Sequence, residues 1–198
     1  MSDSKENIIE YYENLISKHG HDPRSCDYGR SESQLIKFEA ITSATDFSSK
    51  SILDIGCGFA DFASYLNEHQ SGFTYHGVDI TPSMVEIASK NHPQHTMECR
   101  DILSDPPSQK YDIVTANGIF YLVQENGKEF MQSMVKSMFS LCNEVAVFNS
   151  LSTWADFMND KEFYADPAET LEFCKTITRK IVLKHDYMNH DFSVFLYR

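Results

Sequence analysis

The residues that could carry chemistry are concentrated in residues 51–66, SILDIGCGFADFASYL, where an acid and two glycines separate an apolar run from an amphipathic run. Glycines at such a junction adopt backbone conformations that other residues avoid, and they let the backbone approach a ligand closely. A loop of this kind can cradle a phosphate, hold a dinucleotide, or bind another nucleoside-bearing ligand. The neighbouring residues decide between these three uses.

A phosphate-binding P-loop is excluded, because no Lys followed by Ser or Thr closes a G-x-x-x-x-G pattern after Gly56 or Gly58. The charge of Asp54 would also repel a phosphate. A dinucleotide site of the G-x-G-x-x-G type would need a glycine at position 61, and that residue is Asp61. An acid is a poor neighbour for pyrophosphate, so the pattern disfavours a dinucleotide as well.

Composition narrows the classes of function further. With 198 residues, of which 41% are hydrophobic, the chain can form one globular domain with a sizeable core. A formal charge of -12 argues against a partner that is nucleic acid or an anionic membrane, since phosphate contacts need clustered Lys and Arg. No run approaches the roughly 20 apolar residues that span a bilayer.

Cysteine usage and the first residues bear on the compartment. The five cysteines never form a C-x-x-C pair, so we expect buried free thiols and neither a metal site nor a disulfide framework. The segment MSDSKENIIEYYENL lacks the basic-then-apolar layout of a secretory signal. These two observations predict a cytoplasmic protein.

Short apolar runs alternate with amphipathic runs from Ser51 onward, which is typical of parallel strands connected by helices on both faces of a sheet. The pattern predicts strands at residues 51–55, 73–80, 95–102, 111–118 and 143–150. It predicts helices at residues 59–69, 81–91 and 166–177 and within 125–141, with Thr81 as an N-cap. Two further helical stretches, at about residues 3–18 and 31–45, precede the first strand.

The last residues, 179–198, form two β-rich runs joined by a short polar connection near Asn189. So short a link joins antiparallel neighbours, because a parallel crossover needs a dozen or more residues. We therefore predict an α/β fold: a doubly wound, mostly parallel seven-stranded sheet that ends in an antiparallel hairpin, with N-terminal capping helices.

Four motifs at the predicted strand ends resemble those of the class I, S-adenosylmethionine-dependent methyltransferases. LDIGCGFADFASYL is similar to the first motif of that family, HGVDITPSMVEIA to the second, CRDIL to the third and YDIVTANGIFYLV to the fourth. The resemblance covers about residues 50–150, with one departure at Ala60, where the family often has a third glycine. It implies S-adenosylmethionine as the cofactor and S-adenosylhomocysteine as the product.

The single domain, residues 1–198, then divides into a helical cap (1–48), a cofactor-binding core (49–150) and a substrate-side insertion with the hairpin (151–198).

The resemblance also implies roles for individual residues. Asp79 matches the carboxylate that binds the ribose hydroxyls, and Asp101 matches the one that accepts from the adenine amine. Asp54 matches the acid that orders the glycine loop and approaches the ammonium group of the ligand. The other implied cofactor-binding residues lie in the glycine loop, around the adenine, beside the sulfonium and in the N-terminal segment: Gly56, Gly58, Ile80, Met84, Ile102, Asn117, Gly118, Tyr11 and Arg30.

Structural roles compete with some of these assignments. Asp79 could cap the following helix, Asp101 could form a turn, and Ile80 and Met84 could simply pack in the core. The N-terminal segment could be a helix that packs its apolar face on the sheet and leaves its polar groups in water. That face comprises Ile8, Tyr12, Leu15 and Ile16.

A general base is not identifiable from the sequence. Because a sulfonium donor is already activated, most of the catalysis can come from positioning, and a base is needed only if the acceptor arrives protonated. His19, His21 and Tyr121 are candidates, although a chain with 8 histidines places some of them near any cleft by chance.

A small-molecule acceptor is predicted by elimination. NGIF stands where enzymes that methylate amino groups of DNA bases or glutamine carry N/D-P-P-Y/F, no Pro-Cys nucleophile is present, and the acidic charge disfavours tRNA or rRNA. The acceptor pocket is predicted between the N-terminal helices, residues 118–123 and the insertion 149–166. The aromatic residues of that insertion suit a flat or partly apolar acceptor, or they seal the sheet edge: Trp154, Phe157, Phe163 and Tyr164.

Two other functions remain open. An enzyme of the same fold could cyclise or cleave the aminobutyl chain of the cofactor, and a non-catalytic binding protein could retain the fold. The sequence does not predict the oligomeric state.

Overall fold

The computed structural model describes residues 2–26, 31–123 and 125–198. Seven strands alternate with helices in the predicted order. The strands are β1 Ser51–Ile55, β2 Thr74–Asp79, β3 Thr96–Cys99, β4 Tyr111–Ala116, β5 Cys142–Leu151, β6 Ile181–Met188 and β7 Asp191–Tyr197. The helices are α1 Ser2–His19, α2 Ser31–Thr42, α3 Asp61–His69, α4 Pro82–Asn91, α5 Gly127–Leu141 and α6 Pro167–Lys175, with a 3₁₀ turn at Pro23–Cys26.

The strands form one sheet in the order β3-β2-β1-β4-β5-β7-β6. The first five strands are parallel to one another, whereas β7 runs antiparallel to both β5 and β6. This arrangement confirms the predicted fold class. The strand order reverses between β1 and β4, and a ligand crevice is expected at the carboxyl ends of the strands there.

Each face of the sheet is covered by helices, because side chains of a buried strand alternate between two apolar layers. In β1, Ile52 packs in a layer with α2 and α3, while Leu53 packs in the opposite layer with α5. The α5 side chains that fill this second layer repeat at helical spacing: Met131, Met134, Val135, Met138 and Leu141.

Local signals account for several element ends. The predicted start of α6 is confirmed: the Asp166 side chain accepts a hydrogen bond from the Glu169 N–H at 2.9 Å, and Pro167 occupies the first turn. All five cysteines are free thiols, and Cys57, Cys142 and Cys174 are buried. Within the described ranges, every helix is too short or too polar to cross a bilayer.

Candidate active site

The carboxyl ends of the parallel strands open into a cleft with a volume of about 1300 Å³. We name its two parts by the elements that line them. The donor half is lined by the loops that follow β1, β2, β3 and β4 as far as Gly118. The acceptor half is lined by residues 119–123, by α5, by the segment after β5 and by the start of β7.

The loop after β1 approaches the β4 side of the cleft closely. Gly56 has a φ of +72°, and a Cβ placed on it would lie 2.3 Å from Cγ2 of Ile119. The Gly56 and Cys57 N–H groups both donate to the carbonyl oxygen of Val78, at 2.8 and 3.1 Å. Glycine suits both this backbone conformation and the narrow space beside Ile119, so the loop lines the donor half with its backbone at this position.

Asp54 lies beneath the glycine loop and is fully buried. Its carboxylate accepts hydrogen bonds from the hydroxyls of Tyr75 and Thr115, the latter at 2.8 Å. Burial raises the pKa of Asp54 to about 6, against the opposing effect of these two hydrogen bonds. The carboxyl group therefore connects β1 to β2 and β4, and it lines the donor half.

Asp79, at the end of β2, is held by backbone amides on two sides. One carboxylate oxygen accepts from the Gly58 N–H at 2.9 Å and the other from the Thr81 N–H at 2.8 Å. Burial raises the pKa of Asp79, although these hydrogen bonds act against the shift. Thr81 is the N-cap residue of α4 as predicted, but its side chain makes no capping bond, and Asp79 instead accepts from the Thr81 N–H at the start of the helix.

Asp101 differs from Asp79 in what holds it. Its carboxylate is only partly buried, and it accepts hydrogen bonds from Lys5 Nζ at 3.0 Å and from the Leu103 N–H at 3.1 Å. Partial burial raises the pKa of Asp101, but the bonds from Lys5 and Leu103 outweigh it and lower the pKa below its usual value. Lys5 of α1 thus donates to Asp101, the carboxylate that the family resemblance assigns to the adenine amine.

The loop after β4 brings Asn117 and Gly118 onto the wall between the two halves. Gly118 has a φ of +71°, and its N–H donates to Oδ1 of Asn149 at 2.8 Å. The side chain of a residue on β5 therefore fixes the backbone of this loop.

Helix α1 lines the cleft with Lys5, Ile8 and Tyr12 and contacts the loop after β3, the loop after β4 and the first turn of α4. Besides the Lys5–Asp101 pair, Glu13 accepts from the Ser83 hydroxyl at 2.6 Å. The hydroxyls of Tyr12 and Tyr121 are 3.0 Å apart. The aromatic residue of α1 that lines the cleft is Tyr12 rather than Tyr11, which is 37% exposed. Arg30 lies outside the described residues.

The three candidate bases are not brought together. His21 is exposed and lies outside the cleft, where it contacts Asp61 at 3.4 Å and Asn91 at 3.1 Å. His19 is half-buried and does not line the cleft either. Tyr121 does line it, with its hydroxyl paired to Tyr12. Of the three, Tyr121 alone is placed where an acceptor could reach it.

The remaining predicted cofactor residues all line the donor half: Gly58, Ile80, Met84 and Ile102. The aromatic residues of the insertion divide between the two expected uses. Phe157 and Tyr164 line the acceptor half, and Phe157 is 80% exposed at its rim. Trp154 instead stacks on His185, and Phe163 packs against the apolar core.

The sequence analysis gave no individual role to Lys37, Asn149 and Asp191, which line this cleft together. Lys37 Nζ lies 2.8 Å from Asp191 Oδ2, and both side chains are nearly inaccessible to solvent. The antiparallel pairing of β5 with β7 brings Asn149 near Asp191, although the two are 42 positions apart in the chain. No local motif marks such a set.

Comparison with known families agrees with this geometry. Residues 28–174 match the family described as "Methyltransferase domain". The chain is 26% identical over 153 residues to Rv1506c of Mycobacterium tuberculosis, which is named as a candidate methyltransferase. That match covers 74% of this chain and 92% of the relative.

Solved structures with the same fold include enzymes with different acceptors. Magnesium protoporphyrin IX methyltransferase from Synechocystis PCC 6803, with bound S-adenosylhomocysteine, superposes with a TM-score of 0.70 at 12% identity, over 98% of this chain and 99% of that chain. The N-methyltransferase NodS from Bradyrhizobium japonicum WM9 gives 0.68 at 15% identity, over 96% and 97%. The small RNA methyltransferase HEN1 gives 0.65 at 14% identity, but the match covers 84% of this chain and only 25% of that one.

Proposed function

Because the chain belongs to the methyltransferase-domain family, we propose that it transfers a methyl group from S-adenosylmethionine to a small-molecule acceptor bound in the acceptor half. The family match confirms the class that the four sequence motifs indicated. One observation carries the proposal: Asp79, Asp101 and the glycine loop meet on the wall of a single cleft. When bound, S-adenosylmethionine supplies a methyl group on a positively charged sulfur that leaves as a neutral thioether.

The residues of the donor half fit this cofactor. Gly56 has no space for a Cβ because Ile119 lies against it, so the backbone of the glycine loop itself lines the cleft where a ligand would lie. Asp79 would accept from the ribose hydroxyls, since each carboxylate oxygen can accept a bond besides the one from a backbone amide. Asp101 and the Ile102 amide would hold the adenine, with Ile80 and Met84 against its faces.

The amino-acid end of the cofactor would lie between Asp54 and the loop after β4. A buried carboxylate is a suitable partner for an ammonium group, because an opposite charge stabilises its ionised form. Asn117 and Gly118 would then lie beside the sulfur, at the boundary of the acceptor half.

The acceptor half supports a small acceptor over a polyanion. Its inner wall is apolar, with Phe120, Phe130, Met134 and Leu151. The carboxylates that line it would repel phosphate groups: Glu125, Glu129, Asp156 and Glu162. An enclosed apolar wall under a carboxylate rim accommodates a compact molecule and disfavours a nucleic acid backbone.

Catalysis by this chain would be mainly positional. Holding two reactants in line can contribute up to roughly 7–11 kcal/mol. Helix α1, which lines the cleft with Lys5, Ile8 and Tyr12, would exclude water from the reacting groups. If the acceptor carries a proton, Tyr121 is the candidate group in reach of it.

The test uses purified protein, S-adenosylmethionine labelled on the methyl group, and an extract of the source cells separated into small-molecule, protein and RNA fractions. We expect the label in a small molecule together with an equal amount of S-adenosylhomocysteine. Label confined to RNA or protein would refute the acceptor class. Release of methylthioadenosine would refute methyl transfer and support cleavage of the aminobutyl chain.

A further inference from the structure

A buried polar cluster connects the acceptor half to the loop beside the proposed sulfur position. It joins α2, β5, β6 and β7, through Lys37, Asn149, Tyr187 and Asp191. Lys37 Nζ lies 2.8 Å from Asp191 Oδ2, with side-chain exposures of 11% and 2%. Asp191 Oδ1 accepts from Tyr187 at 2.6 Å and from Asn149 Nδ2 at 3.2 Å.

The Asn149 side chain has only one orientation that suits both of its neighbours. Its Oδ1 accepts the Gly118 N–H at 2.8 Å, while its Nδ2 donates to Asp191. A flipped amide would set an NH₂ group against the Gly118 N–H and an oxygen against the carboxylate. The carboxylate of Asp191 thus selects the orientation in which Asn149 holds the loop after β4.

A buried ion pair is a weak way to gain stability, because removing two charges from water offsets most of their attraction. Apolar residues of similar volume often stabilise such a site equally well. The Lys37–Asp191 pair therefore needs a reason other than stability. The bond that Asp191 makes to Asn149 supplies one, since an apolar side chain could not orient the amide.

We infer that Asp191, with its charge balanced by Lys37, is a positioning residue for methyl transfer. It orients Asn149, which fixes the Gly118 amide and so the position of the Asn117–Gly118 backbone at the boundary between the two halves. This inference rests on the proposed function for its consequence in catalysis, but the orientation of Gly118 can be measured on the unliganded protein.

Two double variants separate orientation from charge and from stability. In Lys37→Met/Asp191→Leu, the ion pair becomes apolar and Asn149 loses the acceptor that orients it. In Lys37→Met/Asp191→Asn, the charge is also gone, but an amide oxygen at position 191 can still accept from Asn149 and Tyr187. The matched control is Lys128→Met, which removes the exposed pair of Lys128 with Glu169 on the surface.

The first readout is hydrogen exchange of the Gly118 amide, followed by NMR on the unliganded protein. We expect exchange about tenfold faster in Lys37→Met/Asp191→Leu, as expected for loss of one net hydrogen bond. In Lys37→Met/Asp191→Asn most of the protection returns, and in Lys128→Met it is unchanged. The inference would be overturned if the Gly118 amide exchanged at the same rate in the two double variants, whether protection was kept in both or lost in both.

The second readout is the affinity for S-adenosylhomocysteine measured by calorimetry. We expect the affinity to fall about tenfold in the Leu variant and to recover in the Asn variant. An affinity that is the same in both double variants would contradict a positioning role. If the wild-type protein fails to bind S-adenosylhomocysteine, the proposed function fails, and the exchange experiment still decides whether Asp191 orients Asn149.

Discussion

The donor half and the acceptor half of the cleft are held together in different ways. In the donor half, backbone amides fix the carboxylate at the end of β2: both oxygens of Asp79 accept from main-chain N–H groups. In the acceptor half, side chains fix one another, as Lys37, Asp191 and Asn149 do. Backbone contacts change only if the fold changes, whereas a side-chain cluster changes with single substitutions. The fold therefore constrains the position of Asp79 more tightly than that of the Lys37–Asp191–Asn149 cluster.

The strongest way to break the donor half is to add one methyl group at Gly56. In Gly56→Ala, the new Cβ would lie 2.3 Å from Cγ2 of Ile119 in a residue whose φ is +72°. We expect a loss of about 2–5 kcal/mol in the free energy of unfolding, from backbone strain and overpacking together. Denaturant unfolding measures this loss, and binding of S-adenosylhomocysteine should disappear with it.

Gly20→Ala is the matched control for this substitution. Gly20 also has a positive φ, of +66°, but a Cβ there would have no atom within 4 Å. It should therefore lose only about 1–2 kcal/mol, the strain of the left-handed conformation. If the two variants unfold with the same free energy, the donor loop can yield to a side chain, and the contrast between the two halves is wrong.

The next largest effect is expected at Asp79. Asp79→Ala removes the proposed acceptor of the ribose hydroxyls, and we expect the affinity for S-adenosylhomocysteine to fall at least about 100-fold, since each bond to a charged group contributes about 1.5–3 kcal/mol. At a ligand concentration about ten times the wild-type Kd, the rise in melting temperature that this ligand gives the wild-type protein should almost vanish in the variant. Thermal denaturation with and without the ligand measures it.

Asp112→Ala separates ligand binding from general damage. Asp112 also accepts from a backbone amide, that of Ser51 at 2.8 Å, but at the amino end of the strands, on the opposite edge of the sheet. The Asp112→Ala variant should be less stable than the wild type, but S-adenosylhomocysteine should still raise its melting temperature. A preserved rise in Asp79→Ala would show that the ribose assignment is incorrect.

The contrast between the halves also explains what could be predicted from sequence. The fold was predictable to within a few residues at most element ends, because buried strands and amphipathic helices carry local periodicity. The family resemblance assigns Asp54, Gly56 and Asp79 to the cofactor, and all three line the cleft, since the ends of neighbouring parallel strands meet at one edge of the sheet. The β3 strand was predicted too long, since the turn that Ser104 and Asp105 form on the Asp101 carbonyl begins beyond Cys99.

The acceptor half and the cap could not be predicted in the same way. Lys5 and Asp101 are 96 positions apart, so their pairing depends on how α1 docks, and no local pattern encodes that. The assignment of Tyr11 to the cofactor stays a prediction, but Tyr12 and not Tyr11 lines the cleft, because adjacent residues of a helix lie about 100° apart around its axis. The apolar stripe that includes Ile8 and Tyr12 was the better guide, and both residues line the cleft.

A buried charge in the donor half predicts a dependence of stability on pH. The pKa of Asp54 is about 6 in the folded protein and near 3.8 when exposed, so the folded state holds its proton more tightly. The contribution of Asp54 to the free energy of unfolding is then greatest below pH 4 and decreases by about 2–3 kcal/mol as pH rises through 6. Chemical denaturation from pH 4 to pH 8 measures this decrease.

Asp54→Asn isolates this effect from the other titrating groups. The amide keeps the size of the carboxyl and can still accept one of the bonds from Tyr75 and Thr115, but it does not ionise. The difference in unfolding free energy between wild type and variant should change between pH 4 and 6 and then level off. A constant difference over that range would mean that Asp54 does not titrate there.

The smallest effect on ligand affinity is expected at Lys5, a side chain of α1 that pairs with a carboxylate of the donor half. Its ammonium group pairs with Asp101, the carboxylate proposed to accept from adenine, and the side chain of Lys5 is 41% exposed. Such a pair contributes about 0.2–1 kcal/mol, so Lys5→Met should raise the affinity for S-adenosylhomocysteine by up to about fivefold at low salt. Salt weakens the pair by screening, and in 0.5 M NaCl the affinity of the wild type should therefore approach that of the variant.

Calorimetric titration at both salt concentrations measures these affinities, with Lys128→Met as the control that should change neither value. A lower affinity in Lys5→Met would instead make α1 part of the donor half rather than a competitor for it.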